Sequence, residues 1–245
     1  MGIDYAVSKH RITAEYVTKG KNDGFLLKSD GQVLVCEVSD ASYSFASNLT
    51  SHLIDLNCSE IEAYMLTHYH KKHTASLNKL TDNCIVRSFI LPLPITETDA
   101  QVYGELCAIA GEKGIQIILT DRHRGDTVYF NRAEVEIYPF TLLSRSDHPV
   151  IALRLSCDDS EIMYLGGSFN EGDESISIHA ENADILIFGG HSPVYKKVFD
   201  PQIAEAKTVY VSEYAAESLG KLSPDITEEL YGENSLTAEV PIRLD

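Results

Sequence analysis

Two segments of this chain share one pattern of apolar and polar positions, and the pattern orders the rest. Gly24-Phe25-Leu26-Leu27-Lys28 runs into Ser29-Asp30-Gly31 and returns as Gln32-Val33-Leu34-Val35-Cys36-Glu37-Val38. An Asp-Gly pair between two such runs is a hairpin signal. Val150-Ile151-Ala152-Leu153-Arg154-Leu155 repeats the form, passing through Asp158-Asp159 and returning as Glu161-Ile162-Met163-Tyr164-Leu165. The two read as equivalent hairpins, one per half. Each half then continues toward a helix and a further buried strand, at residues 62–66 in the first and 183–188 in the second. Helices follow from the 3.6-residue period. Phe45, Leu49, Leu53 and Leu56 share one face between Tyr43 and Leu56. Val102, Leu106, Ile109 and Ala110 do so between Asp99 and Lys113, with Asp99 as the expected N-cap and Gly114 as the stop. Strands alternating with helices and hairpins predict an α/β (α+β) chain, with two sheets packed together, helices on the outer faces and a site where loops gather at strand ends.

Composition adds bounds to this picture. A chain of 245 residues without a Pro/Gly/Ser-rich linker is expected to be one domain, residues 1–245, with one sizeable core. Hydrophobic residues at 44% and charged residues at 23% are ordinary for a soluble globular protein. Apolar runs such as Ile185-Leu186-Ile187-Phe188 are too short to span a bilayer, and the first residues lack a charged-then-apolar signal pattern. A cytoplasmic protein is expected, or a soluble domain of a larger membrane protein. Cys36, Cys58, Cys84, Cys107 and Cys157 are odd in number, widely spaced and without a CxxC pair, so they read as buried thiols in a reducing compartment. The formal charge of -17 argues against general nucleic-acid affinity, which depends on Lys and Arg displacing counterions.

The candidate chemistry lies in Thr67-His68-Tyr69-His70-Lys71-Lys72-His73, directly after the first apolar strand. His68 and His70 alternate by two, so at the end of a strand both imidazoles leave one face and can converge on one ion. His73, past a turn, can serve a second position. Lys71, Lys72, Arg122, Arg124, Arg145, Lys196 and Lys197 fall in loops expected near the site of this otherwise acidic chain. Such a cationic pocket takes phosphate or carboxylate without a metal. Tyr69, Tyr195 and Phe169 either line the pocket or pack locally, and His10, His52, His123 and His179 carry no motif.

The histidine spacing resembles the HxHxDH signature of metallo-β-lactamase-fold hydrolases. The order of segments is similar to one branch of that fold, the C-terminal domain of the ComEC competence proteins for DNA uptake. Residues 16–38 resemble its opening "DVGQGD" strand, hairpin and "IDTG" loop, and residues 61–77 its HxHxDH strand. Residues 125–139 resemble its "GD…VEVLxP" hairpin, residues 162–167 its "LLTGD" and residues 183–193 its "ADVLKVxHHGS". The likeness covers about residues 12 to 215 and leaves 216–245 as a C-terminal extension. It implies a four-layer αββα sandwich, two mixed sheets flanked by helices, with DNA as the substrate of intact members.

The ligand set implied by the resemblance is incomplete. His68, His70 and His73 match by position, and His191 matches the second histidine of the HHGS pair while Gly190 replaces the first. Lys72 stands at the signature aspartate, Gly167 where "TGD" carries its metal-bridging carboxylate, and the "IDTG" acid shifts to Glu37 or is absent. A two-metal hydrolase needs the bridging carboxylate and a hydroxide between the ions. An ammonium about 4 Å from a divalent ion repels it by roughly 8 kcal/mol at an effective dielectric near 20. A dinuclear centre is therefore not expected. One zinc is compatible with His68, His70 and His148 as a three-imidazole site with an open fourth position. Three readings stay open: a degenerate protein with a lost dinuclear centre, a mononuclear zinc hydrolase of phosphodiesters or related esters, and a metal-free anion-binding or scaffold domain using Lys71 and Lys72. The partner is accordingly a small anionic ligand or a phosphodiester, with nucleic acid implied by resemblance and disfavoured by charge.

Overall fold

The computed structural model describes residues 12–16, 24–29, 32–38, 44–55, 57–69, 74, 77–120, 128–130, 135–143, 149–157, 160–165, 183, 185–188, 208–212, 235–236 and 242–244. The first expected hairpin is β2 (Gly24–Ser29) and β3 (Gln32–Val38), antiparallel, with Ser29 paired to Gln32. The second is β9 (Pro149–Cys157) and β10 (Ser160–Leu165), also antiparallel. The strand expected at residues 62–66 is β4 (Glu60–Met65), and that expected at 183–188 is β11 (Ile185–Phe188).

Among the described residues two seven-stranded mixed sheets result. The first has β1 (Ile12–Tyr16), β5 (Ile85–Pro92), β6 (Gln116–Thr120) and β14 (Ile242–Leu244) in the order β14-β1-β2-β3-β4-β5-β6. The second has β7 (Val128–Phe130), β8 (Val135–Leu143), β12 (Thr208–Ser212) and β13 (Ser235–Leu236) in the order β13-β12-β11-β10-β9-β8-β7. The halves correspond: antiparallel hairpins lead into parallel strands, β3 to β6 in one sheet and β10 to β13 in the other. Contacts of β5 with β9 and of β6 with β8 join the sheets. Helices α1 (Ser44–Asp55), α2 (Leu77–Asn83) and α3 (Glu97–Lys113) belong to the first sheet: α1 packs on α2, α2 on β5 and α3 on β6. This is the layered sandwich of mixed sheets and helices expected from the sequence.

Both faces of the first sheet's middle are buried. Val33 and Val35 of β3 join the helix-side cluster, while Leu34 and Cys36, pointing the other way, are also fully buried. Burial on both faces is why these strands read as unbroken apolar runs. The helix-side cluster draws Leu49 and Leu53 from α1, Leu77 and Leu80 from α2, and Val102, Leu106 and Ala110 from α3 onto Tyr64, Leu66, Phe89 and Leu91. The periodic positions of α1 and α3 thus face the core as expected, whereas the side chains of Phe45 and Leu56 lie outside the described residues.

The helix ends show how the chain is handed back to the sheet. Asn57, left-handed at φ 55°, closes α1 in a Schellman motif, with Cys58 N donating to Leu53 O and Asn57 N to Ile54 O. Gly114, at φ 72°, closes α3 as expected. The other end of α3 departs from expectation: the N-cap is Thr96, not Asp99. Asp99 sits one turn inside, where its carboxylate accepts from Thr96 N at 3.0 Å while Thr96 Oγ1 accepts from Asp99 N at 3.1 Å. This reciprocal capping box satisfies two donors that a cap at Asp99 would leave open, so the helix gains its extra first residues. The cysteines depart in part as well. Cys36 and Cys58 are buried thiols outside any disulfide, but Cys84 and Cys107 are only partly buried, and the side chain of Cys157 lies outside the described residues.

Candidate functional site

Parallel pairing of β3, β4, β5 and β6 puts their carboxyl ends along one edge, and the histidine segment leaves from that edge after β4. Leu66 N still donates to Ile90 O at 3.0 Å, and beyond it the chain bends at Thr67 and His68. Thr67 is fully buried, His68 half-buried and Tyr69 buried again. Leu66 and Tyr69 both join the helix-side cluster, a spacing of three that strand alternation does not produce. The expectation that His68 and His70 share a strand face therefore does not carry to His68, because pairing with β5 stops before it. His70 itself lies outside the described residues.

His68 is held by its neighbour. Its Nδ1 lies 2.9 Å from Thr67 Oγ1, a hydroxyl anchored in the interior. When Nδ1 carries the proton and donates to that oxygen, the ring lone pair is on Nε2. Orientation of a histidine by a hydrogen bond to its other nitrogen is a usual support for a metal ligand. Tyr69 serves packing rather than pocket lining. Its hydroxyl donates to Pro92 O at 2.5 Å, and its ring meets Tyr103 edge-on at 6.3 Å and 74°.

Burial pushes the Tyr69 phenol well above its ordinary range, and the neighbouring Tyr103, Asp99 and Cys107 add to the shift. The folded protein keeps this phenol neutral, while an unfolded chain ionises it near pH 10. Stability from this group is complete below about pH 10 and declines above it, where the unfolded state loses a proton that the folded state retains. Tyr69→Phe is expected to cost about 1 kcal/mol at pH 7 through the lost bond to Pro92 O, and to flatten the alkaline decline. Urea unfolding from pH 7 to pH 11 measures both, and an alkaline slope identical to that of the unaltered protein would count against it.

The remaining candidates, His70, His73, His148, His191, Lys71, Lys72, Lys196, Lys197 and Gly167, lie outside the described residues, as do Tyr195 and Phe169. Their chain positions are informative. His148 immediately precedes β9, Gly167 follows β10 by two residues and His191 follows β11 by three. Leu165 and Phe188 pair as neighbours, so β10 and β11 end at one level of the second sheet. Among the described residues no three His, Cys, Asp or Glu side chains cluster to hold a metal, and no helix is long and apolar enough to cross a membrane. Sequence reasoning missed Thr67; the signal available was its place directly before the first histidine.

Comparison with solved structures decides the architecture. The metallo-β-lactamase-fold protein YhfI of Bacillus subtilis superposes with a TM-score of 0.64 at 15% identity, covering 95% of this chain and 99% of that one. The fold is the metallo-β-lactamase fold. The short form of human tRNase Z shares it, at a TM-score of 0.53 and 14% identity over 81% of this chain and 91% of that one. A variant of the CmlA β-hydroxylase gives 0.57 at 12% identity, covering 97% of this chain and 54% of that one. No family profile matches the sequence, and no curated protein matches it. The metallo-β-lactamase fold is thus carried here by a sequence that retains little identity with these relatives in structure.

Proposed function

We propose that this chain is a metallo-β-lactamase-fold protein, similar to the ComEC-type DNA-uptake hydrolases, whose dinuclear centre has been lost and whose remaining histidines hold less than one metal per chain. What supports the reading is the resemblance by segment order, under which Lys72 and Gly167 stand where that branch has two carboxylate ligands. Glycine offers no donor and lysine brings an opposing charge, so the residues present do not fit a second metal. The imidazoles of His68, His70 and His148 fit one zinc by donor type, and the Thr67–His68 hydrogen bond supports that assignment at the first position. Zinc so held would supply a Lewis acid and a water of lowered pKa.

A second reading, a mononuclear zinc hydrolase of phosphodiesters, is favoured by that same oriented histidine. Elemental analysis of protein purified without chelator separates the two. The lead reading expects less than one metal per chain and no hydrolysis of bis(4-nitrophenyl) phosphate. The second expects one zinc per chain and hydrolysis that disappears in His68→Ala. Two metals per chain would overturn the lead.

A further inference from the structure

Between Ala63 and Tyr69 every residue but His68 is buried, and His68 is buried in part. The backbone is anchored on both sides of it. Leu66 N donates to Ile90 O at 3.0 Å before it, and after it the Tyr69 hydroxyl donates to Pro92 O at 2.5 Å, with its ring edge-on to Tyr103 of α3. These bonds place the backbone; they do not set the ring. The ring is met at Nδ1 by Thr67 Oγ1, at 2.9 Å, from a residue with no exposure to solvent. A threonine hydroxyl has two lone pairs and one proton, so it can accept from Nδ1–H and still donate its own proton elsewhere. A neutral histidine in water carries its proton mainly on Nε2, so a bond that requires Nδ1–H leaves a measurable mark.

We infer that Thr67 is a positioning residue for His68: its oxygen accepts from His68 Nδ1–H and holds the ring in one orientation and one tautomer, with the lone pair on Nε2, before any ligand binds. Thr67 acts through the imidazole and touches no ligand itself. Its burial is what makes it suited to this, because an oxygen fixed in the interior cannot follow the ring if the ring turns. A ring ordered in advance lowers the ordering cost of binding, and loss of such an outer partner typically costs about 10- to 100-fold in metal affinity. The inference rests on the reading of His68 as a metal ligand, and its first test is made without metal.

Nitrogen NMR of the isotope-labelled, metal-free full chain at about pH 8.5, where an ordinary imidazole is neutral, reads the tautomer directly. The His68 signals are identified by their absence in His68→Gln. The unaltered protein is expected to show Nδ1–H with Nε2 unprotonated, and Thr67→Ser, which keeps the oxygen, to show the same. Thr67→Val keeps the shape without the acceptor, and is expected to return the ring to the Nε2–H form. Zinc titration of the same three proteins is expected to show affinity about tenfold or more weaker in Thr67→Val and within about twofold of the unaltered protein in Thr67→Ser. An Nε2–H ring in the unaltered protein overturns the inference whether or not the valine variant folds. An Nδ1–H ring that survives in Thr67→Val also overturns it, and a lowered unfolding temperature with that unchanged tautomer assigns Thr67 to packing. The zinc content of the unaltered protein tests the proposed function separately.

Discussion

Phe89→Ala is expected to destabilise the protein by about 4 kcal/mol, within the range for truncating a buried phenylalanine. Phe89 is fully buried on the helix side of β5, a strand paired on both edges, and its register partner on β4 is Tyr64. The two rings meet edge-on at 6.3 Å and 80°, adding a directional contact to the area they bury. Helices α1, α2 and α3 all contribute to the cluster around this pair, so the cavity left by alanine lies where the helix layer seats on the sheet. Against a typical total of 5–15 kcal/mol, such a loss lowers the urea midpoint steeply at an unchanged slope. Phe89→Leu, which retains most of the volume, is expected to cost about 1.5 kcal/mol or less. A loss below about 1 kcal/mol for alanine would show that the site collapses around the gap and that the helix layer does not depend on this ring.

The same core explains which parts of the fold were legible. The hairpins were readable because Asp30-Gly31 and Asp158-Asp159 interrupt apolar runs at turn positions, and α1 and α3 because each has a buried and an open side. Strands β5 and β6 carry no period-two signal: Val86 and Phe89 to Leu91 are buried on both faces of a parallel sheet. Helix α2 has only seven residues, too few to display a 3.6-residue period. Strand β14 was not foreseeable locally, since Ile242–Leu244 is a strand through its pairing with β1, at the opposite end of the chain. The choice between Thr96 and Asp99 as N-cap turned on a reciprocal pair of bonds, and Thr-x-x-Asp at 96–99 is the pattern that announces it.

At the site, residue types were legible and directions were not. Three histidines in the span 68–73 stood out from composition alone. Which way His68 leaves the backbone depends on where β4 stops pairing with β5, a tertiary fact. Tyr69 had two readings, pocket or packing, and the carbonyl that its hydroxyl reaches belongs to Pro92, in another strand.

The double substitution Lys72→Asp with Gly167→Asp is expected to raise bound zinc from less than one to two ions per chain and to introduce hydrolysis of bis(4-nitrophenyl) phosphate. The physical case rests on charge. A lysine about 4 Å from a divalent ion would oppose it by roughly 8 kcal/mol at an effective dielectric near 20, and a carboxylate there would attract it by a similar amount. Even a small fraction of that swing, about 3 kcal/mol, corresponds to more than a hundredfold in metal affinity. By the resemblance, the second aspartate would supply the carboxylate that a two-metal hydrolase needs. Neither substitution is expected to suffice alone: Lys72→Asp removes the repulsion without the bridge, and Gly167→Asp supplies a bridge beside a standing positive charge. Coupling between the two in a double-mutant cycle, read as metal per chain by elemental analysis, is therefore the specific expectation. A double variant that stays at the unaltered protein's metal content would remove Lys72 and Gly167 as the cause of a missing second ion, and with them the reading of this chain as a hydrolase fold disarmed at two positions.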